Sequence, residues 1–256
     1  MATLHSGTLP SHPGHAAQHL PLAEPLRWLA RGFRDFRRAP ALGIAYGLMV
    51  AVMGWLVFAL GNHPYFIAAA VSGFLLLGPI VGAGLIEASR AMEAGDRPTF
   101  DTSLRALSRN RSALEHFAIT LLAIAAVWLL VSTWLLTATM GPVAPAVEQT
   151  LWDNTLQMMS SGQWFAWAVM GGVLAVLSFA ISVIAVPLML DRHLSAGDAM
   201  RGSLHAVARH PVASAAWALL IVVLTAIGIA TALLGLVVIY PVLGHASWHA
   251  YRALRD

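Results

Sequence analysis

Apolar residues in this chain gather into six long stretches: Ala41 to Leu60, Phe66 to Ile86, Phe117 to Ala138, Trp164 to Leu190, Val212 to Ile227 and Thr231 to Ala246. Most are close to the roughly 20 residues that a helix needs to cross a bilayer, and no Asp, Glu, Arg or Lys lies in the central part of any of them. Ahead of the odd-numbered stretches the pattern changes. Before the first, Leu26, Leu29, Phe33 and Phe36 recur at helical spacing, with Arg27, Arg31, Arg34 and Arg38 on the opposite face. This is the pattern of a helix lying on a membrane surface. Before the third, Phe100, Leu104 and Leu107 oppose Asp101, Arg105 and Arg109. Before the fifth, Ser195 to Asp198 has the form of a capping box, and Met200, Leu204 and Val207 follow it.

These segments repeat one another. Ser103 to Leu107 (SLRAL) matches Ser203 to Val207 (SLHAV) almost position for position, and Arg38-Ala39-Pro40 is echoed by Arg209-His210-Pro211. Proline is tolerated in a first helical turn because its missing N–H has no intrahelical role there. The even stretches share Pro79-x2-Gly82-x5-Ala88-x-Arg90-Ala91 and Pro241-x2-Gly244-x5-Ala250-x-Arg252-Ala253, with Pro187 as a weaker third copy. The predicted fold is therefore all-α: six transmembrane helices as three parallel two-span repeats, each preceded by a cytoplasmic amphipathic surface helix. The repeats cover about 26–97, 98–194 and 195–256. Two spans per unit give every unit the same orientation, the parallel kind of repeat. Residues 1–25, with His5, His12, His15 and His19 among prolines, predict a disordered cytoplasmic tail and no cleavable signal peptide.

Charge supplies the orientation. All fifteen basic residues are arginines, and they occupy only the segment before the first stretch, the second and fourth gaps, and the C-terminal tail. Gaps one, three and five hold none. Loops rich in Lys and Arg stay in the cytoplasm, so both termini are predicted inside. Composition agrees: 58% hydrophobic and 11% charged residues leave too little polarity to cover a soluble domain. The net charge of +3 points to anionic lipid headgroups as the acidic partner, and nucleic acid is not expected. The absence of cysteine and lysine excludes disulfides, thiolate chemistry, Schiff bases and a P-loop.

Several motifs resemble a known group: Arg-x-x-x-Arg-Ala-Pro before the first span, Gly-Pro-x-x-Gly-x-Gly in the second, Val-Pro-x-x-x-Asp-Arg closing the fourth, and Pro-Val-Leu-Gly-His-Ala-Ser-Trp-His-x-Tyr-Arg at the end. The chain resembles, over about residues 26–256, the bacterial family of integral membrane proteins filed as domain of unknown function 2189. That resemblance implies a six-span bacterial membrane protein and carries no activity or catalytic residues with it. Members are sometimes labelled cytochrome c oxidase subunit I. Such a subunit would resemble a twelve-span protein with histidines deep in its helices, and no histidine here lies near the middle of a stretch.

Candidate chemistry gathers at the cytoplasmic ends. His245 and His249 stand at i and i+4, so both rings can reach one metal or haem iron. His116, His193, His205 and His210 are predicted at the same level, alongside Trp248 as an interfacial anchor. Glu87 aligns with His249 in the repeat and is expected to pair with Arg90 at i+3. Asp191 and Arg192 read as a stop-transfer boundary. Gly43-x3-Gly47 and Gly78-x3-Gly82 predict close helix packing within the bundle, less often self-association. The unusually short last hairpin implies that its second helix runs past Gly244, placing His245 against the second span near Gly82 and Trp248 and Tyr251 at headgroup depth.

The leading expectation is a non-enzymatic bacterial inner-membrane protein, accessory or lipid-organising, without a cofactor. Its partners are membrane lipids with anionic headgroups, contacted by Arg27, Arg31, Arg34, Arg38, Arg209 and Arg252, and other membrane proteins or further copies of itself. One alternative is a permease or channel for a neutral or lipid-like molecule, its pathway lined by Thr120, Ser132, Thr133, Ser178, Ser182 and Thr225. The second is a metal- or haem-binding membrane protein built on His245 and His249.

Overall fold

The computed structural model describes residues 20–60, 81–140 and 160–255, and all of their regular structure is helical. Helix α1 spans Glu24–Arg38, α2 Pro40–Leu60, α3 81–93, α4 Phe100–Arg109 and α5 Arg111–Met140. Then follow α6 Ser161–Ser182, α7 Ala185–Arg192, α8 Ala196–Arg209, α9 Pro211–Ala230 and α10 Leu236–Leu254. Four segments are long and apolar enough to cross a membrane: Pro40–Val57, Arg111–Val131, Ala168–Arg192 and Pro211–Ala230. Of the six expected stretches, the second lies mostly outside the described residues. The sixth forms the start of α10, whose second half is too polar to meet that measure. The tail histidines His5, His12, His15 and His19, and Glu148 and Asp153 of the third gap, also lie outside the described residues.

The surface-helix segments start where their caps dictate. Thr99 and Thr102 form a reciprocal capping box for α4, and the Ser195 hydroxyl accepts from the Asp198 N–H at the start of α8. Many of their large apolar side chains are exposed, among them Leu26, Phe33, Phe100, Leu104 and Leu204. Trp28 and Phe36 of α1 are buried, and beside them the residues that touch protein are small. Gly32, Ser103 and Ser203 are buried, as are Asp35, Ala106 and Ala206 three residues later. In a bilayer, lipid accepts leucine and phenylalanine as readily as protein does, so small residues that permit close approach make the contacts.

Gly32 shows how close. A Cβ there would stand 2.6 Å from the Ala246 nitrogen and the Val242 oxygen, so α1 meets α10 backbone to backbone. α2 does the same on its own side of α10, where a Cβ on Gly47 would lie 2.1 Å from the Val237 oxygen. Gly43, one turn earlier, faces Phe36 and Pro241. Gly43-x3-Gly47 is thus a packing face within the chain, as expected. The turn joining α9 to α10 is tight, with Ala232 and Leu233 at φ of 52° and 69°. The Trp55 indole N–H donates to the Ala232 carbonyl and ties α2 to that turn.

The fourth stretch is broken. Pro187 cannot donate to Val183 and crowds its carbonyl, and the helix stops at Ser182 and restarts at Ala185. Ser203 repairs the gap: its hydroxyl donates to the Ala180 carbonyl at 2.8 Å and accepts from the Ile184 N–H at 3.3 Å. The main core lies beside this junction, where Phe117, Met189, Leu190, Trp217, Trp248, Tyr251 and Trp28 are almost fully buried. Trp28 meets Trp217 edge to face at 5.8 Å.

Candidate functional site at the C-terminal helix

The second half of α10 carries His245, Trp248, His249, Tyr251, Arg252 and Arg255, and almost all of these side chains are bound to carboxylates from other elements. Asp35 of α1, Glu93 of α3 and Asp191 of α7 are the acceptors. His249 Nε2 lies 2.8 Å from Asp35 Oδ2. The Trp248 indole N–H donates to Glu93, and Arg252 reaches the other oxygen of Glu93 at 3.0 Å. The Tyr251 hydroxyl donates to Asp191 at 2.6 Å, with Arg255 at 3.3 Å from the same oxygen and over the Tyr251 ring.

Asp35 is the most enclosed of the three and sits in a short relay. Ser89 of α3 donates to Asp35 Oδ2 at 2.9 Å, and Ser89 Oγ is 2.8 Å from His245 Nδ1. Because the serine proton is committed to the carboxylate, the imidazole proton lies on Nδ1 and is donated to Ser89. His245 Nε2 then bears a lone pair that is buried and without a partner. Burial alone would raise the Asp35 carboxyl. The hydrogen bonds from His249 and Ser89 and the nearby imidazoles of His249 and His245 outweigh that and hold it below the usual carboxylate range.

This grouping contains aspartate, serine and histidine, yet its order is wrong for nucleophilic catalysis. A serine nucleophile must give its proton to an imidazole that is oriented by the carboxylate. Here the serine gives its proton to the carboxylate directly, and Ser89 is only 1% exposed. Among the described residues, no three His, Asp or Glu side chains are grouped to hold a metal ion, and His245 Nδ1 and His249 Nε2 lie at hydrogen-bond distance from Ser89 and Asp35.

Glu87 makes the pair expected of it and one more. Arg90 binds both of its oxygens at 2.7 and 2.8 Å, and Arg109 of α4 adds a contact at 3.1 Å. Of the other histidines, His116 turns back to the Ser112 carbonyl of its own helix, His193 and His205 are exposed and His210 is buried. All six arginines expected at the lipid interface are exposed. Arg27 pairs with Glu24, Arg38 stands 3.7 Å from Asp35, and Arg252 holds Glu93. Of the hydroxyls expected along a pathway, Thr120 and Ser182 donate to carbonyls of their own helices. The side chains of Ser132 and Thr133 lie outside the described residues.

Two expectations need correction. Trp248 and Tyr251 are not interfacial anchors: they are 2% and 0% exposed, because each has a carboxylate within the protein to take its one polar hydrogen. Asp191 is more than a boundary residue, since it is the acceptor of Tyr251 and Arg255. The helix does run past Gly244, as expected. His245 is fully buried against α3, with Ser89 as its partner about two turns beyond Gly82.

Residues 66–191 match the model of a family described as predicted integral membrane protein, domain of unknown function 2189. Over that span, just under half of its length, the chain is similar to this family. The family's span takes in Glu87, Ser89, Glu93 and Asp191, whereas Asp35 and the whole of α10 fall outside it. No curated protein and no solved structure matches the chain.

Proposed function

We propose that this is a non-enzymatic, lipid-organising protein of the bacterial inner membrane, with six spans in three parallel repeats and both termini in the cytoplasm. The observation that carries the reading is the division of labour among charges. Asp35, Glu87, Glu93 and Asp191 are engaged in contacts between helices, while Arg31, Arg34, Arg37, Arg97, Arg192 and Arg209 make no ion pair among the described residues and are exposed. Arginines left without a carboxylate in this way favour a rim that attracts anionic headgroups, each contributing about 1 kcal/mol near such a surface. The repeat reading draws on the shared spacing of Gly32 and Asp35, Ser103 and Ala106, and Ser203 and Ala206, all buried.

The test is lipid composition around the purified protein. Extracted in native nanodiscs from an equimolar phosphatidylglycerol and phosphatidylethanolamine membrane, it should be enriched in phosphatidylglycerol. Replacing the six free arginines by glutamine should abolish that enrichment. An unchanged lipid ratio in the substituted protein would sink the proposal.

A further inference from the structure

If the arginine rim engages anionic lipid, its members need not be equivalent, and α1 is where they differ. Leu26 and Phe33 of α1 face Leu224 of α9 and Ile239 and Val242 of α10 across a groove of about 390 Å³. Beside it, a depression of about 400 Å³ is bordered by Arg34, Arg37 and Arg38. Ala30 and Phe33 belong to both, so a cationic recess and an apolar one meet along one edge of α1. The cationic side is only partly neutralised from within. Arg38 stands 3.7 Å from Asp35, whose other oxygen is engaged by Ser89 and His249, whereas Arg34 and Arg37 have no acidic partner among the described residues.

A small soluble anion would leave the groove unused, and a neutral lipid would leave the arginines unused. An amphiphile with one phosphate and a flexible chain fits both, because guanidinium groups bind phosphate with charge-assisted hydrogen bonds and the groove is lined by aliphatic and aromatic carbon. We propose that this junction holds one anionic phospholipid, its phosphate between Arg34 and Arg37 and one acyl chain between α1, α9 and α10. The site rests on the lipid reading above but is narrower: it requires a particular pair of arginines and a particular groove.

Native mass spectrometry of the full chain in detergent, titrated with phosphatidylglycerol or with phosphatidylethanolamine of the same chains, tests it. One phosphatidylglycerol should remain bound under activation that strips phosphatidylethanolamine. Arg34→Gln with Arg37→Gln should weaken that adduct about 25-fold, from about 1 kcal/mol per arginine, and the paired lysine variants should keep most of it. Ala30→Trp, at an exposed position, fills the junction with every charge retained and should weaken the adduct at least tenfold. If the arginine variant loses lipid and Ala30→Trp does not, the groove is not part of a site, and the rim reading stands without it. Displacement of the lipid by inorganic phosphate at equal concentration would likewise overturn the site, since the chain would then contribute nothing. Equal retention of both lipids would overturn the site and the rim together.

Discussion

Replacing Asp35 by alanine isolates the charge that docks α1 onto α10. The substitution is sterically benign by the protein's own example, since Ala106 and Ala206 are buried at the same spacing after Ser103 and Ser203 as Asp35 is after Gly32. What is lost is electrostatic. The carboxylate accepts from His249 and Ser89, and hydrogen bonds to charged groups contribute about 1.5–3 kcal/mol each. Ser89 would be left buried without its acceptor, whereas the His249 side chain is 16% exposed and can recover water. The lower end of the range, about 3 kcal/mol for the two, is therefore appropriate. That corresponds to a shift of about two orders of magnitude in the docking equilibrium of α1. Hydrogen exchange read by mass spectrometry should show protection in Glu24–Arg38 falling by that factor, while α9 is unaffected. The sign with pH follows from the lowered carboxyl. Its contribution is present above about pH 4, where an unfolded aspartate is ionised, and is lost as pH falls through the still lower folded value. Unchanged protection of α1 in Asp35→Ala at pH 7 would refute the argument, because it would mean that Gly32 and Trp28 dock the helix alone.

Further expectations concern packing, the α7 contact and topology. Gly47→Ala should destabilise the α2–α10 pair by about 2 kcal/mol, as overpacking against backbone does, whereas Gly172→Ala, with nothing within 4 Å, should be neutral; thermal unfolding followed by tryptophan fluorescence compares them. Tyr251→Phe should cost about 1–2 kcal/mol by removing the donor to Asp191, measured by denaturant titration in mixed micelles. Burial and the Asp191 acceptor raise the Tyr251 phenol, so this contribution is full below about pH 10 and disappears as pH climbs through the folded value; an identical alkaline unfolding profile in Tyr251→Phe would contradict it. A phosphatase reporter fused at Gly95 should be inactive and one in the 140–162 segment active, and the reverse result would invert the topology.

Much of the fold can be read from the sequence because lipid imposes a simple pattern. The apolar runs of α2, α5, α6 with α7, and α9 are continuous, and the capping of α4 and α8 is written in Thr99 and Ser195. The faces are harder to read. Hydrophobic periodicity picks out Leu26, Phe33, Phe100 and Leu104, which are largely exposed, and passes over Gly32, Ser103 and Ser203, which are buried in contacts between helices. The identity of Ser103 and Ser203 across the repeat is the signal that marks them. His245 and His249 were visible as a pair on one helical face, but their partners were not. Asp35 and Ser89 come from segments 214 and 156 residues away from them, and no local spacing encodes such a meeting. An acid at position 35, where the similarly spaced positions 106 and 206 have alanine, is a sequence clue to it.

The last helix has a temporal consequence. A ribosome emits α1 long before α10, so Asp35, Glu93 and Asp191 enter the nascent membrane domain with their principal partners not yet made. During that interval α1 has no α10 backbone to lie against, and its arginines and outward leucines favour a free position at the bilayer surface. The emergence of Trp248, His249, Tyr251, Arg252 and Arg255 then supplies the partners of all three carboxylates in quick succession. Assembly should therefore be late and abrupt rather than gradual, and a chain stalled before α10 should present a loosened polar end that quality-control proteases can recognise.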